Sequence, residues 1–133
     1  MKIKSLALII LSCISAFSAE INGIVIKVYD GDTITIRENN TGFTFRVAIY
    51  GIDAPEKRQP GDKEATEYLS EMVLNKNIKA ILIKTDQNGR LVAKIYHNNT
   101  NIGDKMVKRN DLRRKKRLNI KKVLIAIIIF VLV

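Results

Sequence analysis

Residues 21–50 read INGIVIKVYDGDTITIRENNTGFTFRVAIY, and their alternation decides the fold. Apolar residues recur at every second place, as they do on a pleated strand. Ile24, Ile26 and Val28 form one such set, Asp32, Ile34 and Ile36 a second, and Phe43, Phe45, Val47 and Ile49 a third. Asp30-Gly31 separates the first two sets and Asn39-Asn40-Thr41-Gly42 the last two, both with turn-forming chemistry. The stretch predicts a three-stranded meander.

Downstream, residues 51–61 hold two Gly and two Pro and read as a loop. The period then lengthens. Ala65, Tyr68, Leu69, Met72 and Val73 fall on one stripe of a helix, with Asp62 as the expected N-cap and Glu64 and Glu67 early, where the helix dipole favours acids. Ile78–Thr85 and Arg90–Tyr96 return to strand content around an Asp86-Gln87-Asn88-Gly89 turn. This order predicts a mainly β fold with helices: a five-stranded OB-fold barrel carrying a helix between strands three and four.

The chain has 133 residues, room for one domain. Its formal charge is +10, from 23 Lys and Arg against 13 Asp and Glu, which favours polyanionic partners. Cys13 is the only Cys and His97 the only His. That excludes a disulfide framework and a multi-His or Cys zinc site, and argues against a Ser-His-Asp hydrolase. Hydrolytic chemistry would fall to carboxylates, Arg and a hard metal.

Three stretches carry such chemistry: Asp30-Gly31-Asp32-Thr33, Phe45 to Glu56 (FRVAIYGIDAPE), and Asp86-Gln87-Asn88-Gly89-Arg90. Converging Asp and Glu oxygens suit a hard cation. Paired Arg hold a phosphodiester by bidentate, charge-assisted contacts, and a spare carboxylate positions or deprotonates water. Each stretch alone has a plain structural reading: a turn, a Pro-stiffened loop, a hairpin with an exposed Arg.

Taken together and in this order, they resemble the thermonuclease, or staphylococcal-nuclease-like, family over residues 21 to about 107. The Lys63-Glu64-Ala65 helix start belongs to the same resemblance. The resemblance implies an OB-fold barrel and a calcium-dependent phosphodiesterase acting on DNA and RNA. Carried across, it makes Asp32, Asp53 and the backbone carbonyl of Ala54 the Ca²⁺ ligands. It makes Glu56 the residue that activates or orients the attacking water, and Arg46 and Arg90 the phosphate holders. Asn88 stands where the family often has Tyr before Gly-Arg. Ile102-Gly103-Asp104-Lys105-Met106-Val107 matches the start of the segment after the barrel. Beyond Val107 the match stops, and no Tyr follows Tyr96.

The ends differ from the middle. Met1-Lys2-Ile3-Lys4, an apolar run and Ala16-Phe17-Ser18-Ala19 form a signal-peptide pattern with cleavage expected after Ala19; Cys13 loosely resembles an acylation site. Cleavage would leave a mature chain without Cys, in keeping with export, secreted or periplasmic. Lys105–Lys122 holds ten basic residues and one acid, hence +9, and Val123–Val133 are eleven apolar residues. The expected divisions are 1–19 signal, 20–107 barrel domain, 108–122 basic segment and 123–133 apolar tail.

The leading expectation is an exported, monomeric nuclease, with an anionic membrane as a further partner of the tail. Two alternatives stand beside it: a catalytically silent nucleic-acid-binding module, and a membrane-tethered protein with a vestigial barrel. Retention of all five charged site residues favours the enzyme.

Overall fold

The computed structural model describes residues 18–133. The signal segment expected at 1–19, with Cys13, therefore lies almost wholly outside the described residues. Six strands and two helices follow in the order β1 (Glu20–Val28), β2 (Thr33–Glu38), β3 (Thr44–Ile49), α1 (Asp62–Val73), β4 (Asn77–Thr85), β5 (Leu91–His97), β6 (Thr100–Asn101) and α2 (Ile102–Leu132).

β1, β2 and β3 form the expected antiparallel meander, and β4 pairs with the other edge of β1. β5 adds antiparallel to β4 and closes onto β3 in parallel, through Val47↔Leu91, Ala48↔Val92 and Ile49↔Ala93. Closure removes the open sheet edges of the five main strands, and the result is the OB-fold barrel. The two-residue β6 pairs with β5 and leads into α2.

The core is aliphatic. Val25, Ile34, Ile36, Val47, Leu69, Val73, Ala80, Ala93 and Ile95 are fully buried. Each buried Ile, Leu or Val contributes about 1.5–3 kcal/mol by leaving water. α1 plugs the barrel with Ala65, Leu69 and Val73, while Tyr68 and Met72 pack at its margin.

The structure corrects three local expectations. Ile24, Ile26 and Val28 do not share a face. The β1–β2 register shifts between Val25 and Lys27, so Ile26 is the extra residue of a bulge and is exposed. Before the bulge Ile21, Gly23 and Val25 face inward; after it Val28 packs against the core. The inward position 23 must be Gly because β2 passes too close for any side chain: a Cβ there would collide with the Arg37 carbonyl oxygen. Phe43, second, precedes β3 and is exposed, leaving Phe45, Val47 and Ile49 on the inner set. Third, the N-cap of α1 is Gly61 (φ +93°), not Asp62. The Asp62 carboxylate instead accepts from the Arg58 N–H (2.6 Å) and tightens the preceding loop.

The boundary expected at Val107 falls inside α2, with no break in the helix. Asn101 caps the start by accepting from the Asp104 N–H, and Ile102 and Met106 are buried under the barrel. The next turns lie on α1. The Arg109 guanidinium stacks 3.8 Å from the Tyr68 ring centroid, and Arg113 pairs with Glu64. Beyond them every described residue from Arg114 onward is exposed.

Candidate active site

The β1–β2 turn, the end of β3, the loop that follows it and the start of β5 meet at one mouth of the barrel. The pairs Thr33↔Ala48 and Val47↔Leu91 fix that meeting. So does the Ile49 N–H, which donates to the Asp32 carbonyl (2.8 Å). The charged residues singled out by sequence lie on these segments.

Asp32 sits half-buried at the entrance to β2. One of its carboxylate oxygens accepts from the Thr33 hydroxyl (2.8 Å) and the other from the Ala54 N–H (3.2 Å). The second bond spans twenty-two residues and ties the turn to the post-β3 loop. The Gly31 backbone lies against Ala54 and Ala65, so a methyl group there would collide with both. Asp30 accepts from the Asp32 N–H (3.1 Å) and places a second carboxylate beside the first. Burial, and then the neighbouring Asp30, pushes the Asp32 carboxyl above its usual range. Burial acts upward on Asp30 as well, but hydrogen bonds with Asp32 and Thr33 outweigh it and hold Asp30 below.

Asp53, Ala54 and Glu56 line one open hollow of about 550 Å³ with Pro55, Gln59 and Pro60. The Asp53 and Glu56 side chains are exposed. The Glu56 backbone is clamped in a tight turn, its N–H donating to the Gln59 side chain (3.1 Å) and its carbonyl accepting the Gln59 N–H (3.0 Å). Asp53 also borders a groove of about 320 Å³ whose far wall is α2, through Asn110, Arg113, Arg114 and Arg117.

The two arginines come from parallel neighbours. Arg46 lies on β3 and Arg90 directly before β5, each one residue ahead of the Val47↔Leu91 pair that joins these two segments. Arg46 is exposed, and its guanidinium lies 4.1 Å from the Tyr29 ring centroid. The Arg90 Nε donates to Asp86 Oδ2 (2.7 Å), while the other Asp86 oxygen accepts the Arg90 and Asn88 N–H groups (2.8 and 2.9 Å). That grip pulls the Asp86 carboxyl below its ordinary range and raises Arg90, which also feels Asp32 and Asp30.

Sequence reading missed two residues. Asp86 reads from sequence as part of the third stretch and its turn, with no role of its own; an Asp four residues ahead of the Gly-Arg arginine is the available signal. Tyr29, directly ahead of Asp30, was passed over, and only the fold puts it under Arg46. The structure brings Asp32 to Ala54, gathers Asp53, Ala54 and Glu56 around one hollow, and joins the segments that carry Arg46 and Arg90. Among the described residues it does not gather three or more acidic, His or Cys side chains as one metal cluster. The expected ligand set is two carboxylates and a carbonyl.

A closed five-stranded barrel with carboxylates and two guanidinium groups at its mouth defines an OB-fold protein with a loop-built, charged site. Residues 46–110 match the staphylococcal nuclease homologue family. An uncharacterized endonuclease of Haemophilus influenzae (strain ATCC 51907 / DSM 11121 / KW20 / Rd) is 37% identical over 103 residues, covering 76% of this chain and 57% of that protein. An uncharacterized endonuclease of Escherichia coli is 32% identical over 78 residues, 59% of this chain and 50% of that protein. The staphylococcal-like nuclease CAN1 of Arabidopsis thaliana is 38% identical over 65 residues, 49% of this chain and 20% of that protein. The chain thus spans about half the length of the bacterial relatives it matches. Residues 46–110 thus form a domain of the staphylococcal-nuclease-like, or thermonuclease, family.

Proposed function

We propose that the chain is an exported, calcium-dependent nuclease that hydrolyses phosphodiester bonds of DNA and RNA. The observation that carries the reading is the meeting at one barrel mouth of Asp32, whose carboxylate is bonded to the Ala54 N–H, and the segment that carries Arg90, itself held by Asp86. A family of this name and relatives called endonucleases support the same chemistry.

The donors fit calcium. Asp32, Asp53 and the Ala54 carbonyl offer hard oxygens, the ligands calcium prefers. The hydrogen bond from the Ala54 N–H ties the Asp32 carboxylate to the loop that carries the other two donors. Burial and the adjacent Asp30 make the Asp32 charge costly, and a cation would relieve that cost. When bound, the ion supplies Lewis-acid charge for the phosphate oxygens.

The rest falls to the chain's own groups. Glu56 stands on a clamped turn at the rim and orients the attacking water or accepts its proton. A free carboxylate is a weak base in water, so orientation is the larger part of that role. Arg46 on β3 and Arg90 just before β5, segments joined by the Val47↔Leu91 pair, meet the negative charge that grows on the phosphorus oxygens. Asp86 and Tyr29 hold those arginines before substrate arrives, so little reorganisation remains at the moment of reaction. Arg114 and Arg117, across the groove from Asp53, offer a polyanion contact beyond the cleaved bond.

The test is cleavage of single-stranded DNA and RNA by the full chain with added Ca²⁺ and with chelator. Cleavage that needs Ca²⁺ and vanishes in Arg90→Ala supports the reading. Binding of the same substrates without cleavage would favour the silent binding module. For export, the released protein should begin at Glu20, which the mass of the secreted chain measures.

A further inference from the structure

We propose that the far end of α2 inserts into an anionic lipid surface, with its lysines at the headgroups and its last three turns in hydrocarbon. This does not rest on the nuclease reading.

Val123–Val133 contain no polar residue, and all eleven are exposed, with Phe130 at 86% and Leu132 at 80%. Eleven helical residues make about three turns, so the apolar surface runs round the whole circumference. A partner groove or a second helix covers one stripe of a helix. A helix apolar on every side matches a medium that surrounds it. The span is about 16 Å, roughly half of a 30 Å hydrocarbon core. No helix among the described residues is long and apolar enough to cross a membrane.

The residues just before the apolar end fit the other half of a bilayer leaflet. Lys115, Lys116, Lys121 and Lys122 are exposed, and the Lys105–Lys122 span carries +9. Lysines there reach headgroup phosphates while their alkyl stems lie along the helix. Polybasic stretches beside a membrane are drawn to anionic lipid. The root of α2 needs no rearrangement to allow insertion. Ile102 and Met106 are buried in the barrel, and Arg109 and Arg113 rest on Tyr68 and Glu64 of α1. Up to its last turn, whose carbonyls lack intrahelical donors, the helical backbone satisfies its own hydrogen bonds, which hydrocarbon requires.

The chain has no Trp, so Phe130→Trp in the full chain is a clean reporter. It is titrated with phosphatidylglycerol/phosphatidylcholine vesicles, with phosphatidylcholine vesicles, and with vesicles brominated along the acyl chains. The proposal expects a blue shift and acyl-bromine quenching on the anionic vesicles. It expects Lys121→Gln with Lys122→Gln to weaken partitioning by on the order of fivefold per charge. It expects Ile127→Asp with Ile128→Asp to abolish the shift while circular dichroism of the barrel stays unchanged. Three results overturn it: no shift with anionic vesicles, binding without bromine quenching, or a blue shift in buffer that grows with protein concentration. The last would assign the apolar end to a second copy of the chain.

Discussion

The barrel mouth and the far end of α2 hold the same kinds of residue and put them to opposite use. At the mouth both site arginines have a partner. Arg90 is gripped by Asp86 and Arg46 lies on Tyr29. Among the described residues, the cations from Arg114 to Lys122 form no ion pair, and the apolar residues after them are exposed. α1 and α2 make the same contrast with apolar groups. α1 confines its large ones to a stripe that the barrel covers, whereas the end of α2 is apolar all round. Chemistry that must be aimed is fixed by neighbours inside the fold; chemistry left unpartnered waits for something outside it.

The sharpest way to break this comparison is at the arginines. Arg46→Ala and Arg90→Ala should each lower cleavage by about 10³–10⁵, the range for an Arg aimed at a transferring phosphoryl group. The melting temperature should barely move, since Arg46 is exposed and Arg90 is only partly covered. Parent-level cleavage by Arg90→Ala would remove it from the site.

The contrast between the helices is sharpened by a matched pair. Leu69→Ala should cost about 2–5 kcal/mol in urea unfolding, because Leu69 is fully buried. Ile128→Ala should stay within about 0.5 kcal/mol. Equal losses would mean that the end of α2 packs somewhere on the barrel.

Asp86→Ala leaves Arg90 in place but frees it. A misaimed guanidinium should cost about a hundredfold in kcat, with substrate affinity changed much less. An Asp86→Ala enzyme with full kcat would make the clasp merely structural.

The smallest effect is a pH effect. The Asp86 carboxyl is held below its ordinary value, first by its hydrogen bond to Arg90. A lowered folded value means that the clasp's contribution is complete above the ordinary Asp range. It is lost as pH falls through the folded value, when Asp86 takes up a proton. Carboxyl-carbon NMR should show Asp86 titrating below an exposed aspartate, and the difference should vanish in Arg90→Ala. Titration at the ordinary value would refute the clasp.

Much of the fold was legible because its signals are local. Period-two alternation marked β2 and the buried half of β3, and the Ala65–Leu69–Val73 stripe marked α1. What failed were places where another strand intrudes. The Ile26 bulge reversed the phase of β1, and the closeness of β2 leaves room only for Gly at position 23. The N-cap falls on Gly61 because Asp62 is already helical, its carboxylate shared between the loop at Arg58 and the first-turn Lys63 N–H. In the site, Asp32, Asp53, Ala54 and the arginines were readable as motif members, and their partners were not.

By itself the sequence determined the strand and helix periods, the +9 stretch beside an apolar end, and the stock of carboxylates and arginines. These are one-dimensional properties, set by spacing along the chain. Only the tertiary structure decided that β5 closes on β3 and joins the segments that carry Arg46 and Arg90. It also decided that Asp32 holds Ala54 across twenty-two residues. And it decided that α2 runs on past Val107, with Arg109 and Arg113 seated on α1. Each of these joins residues far apart in sequence, and only barrel closure and helix packing bring such residues within reach of one another.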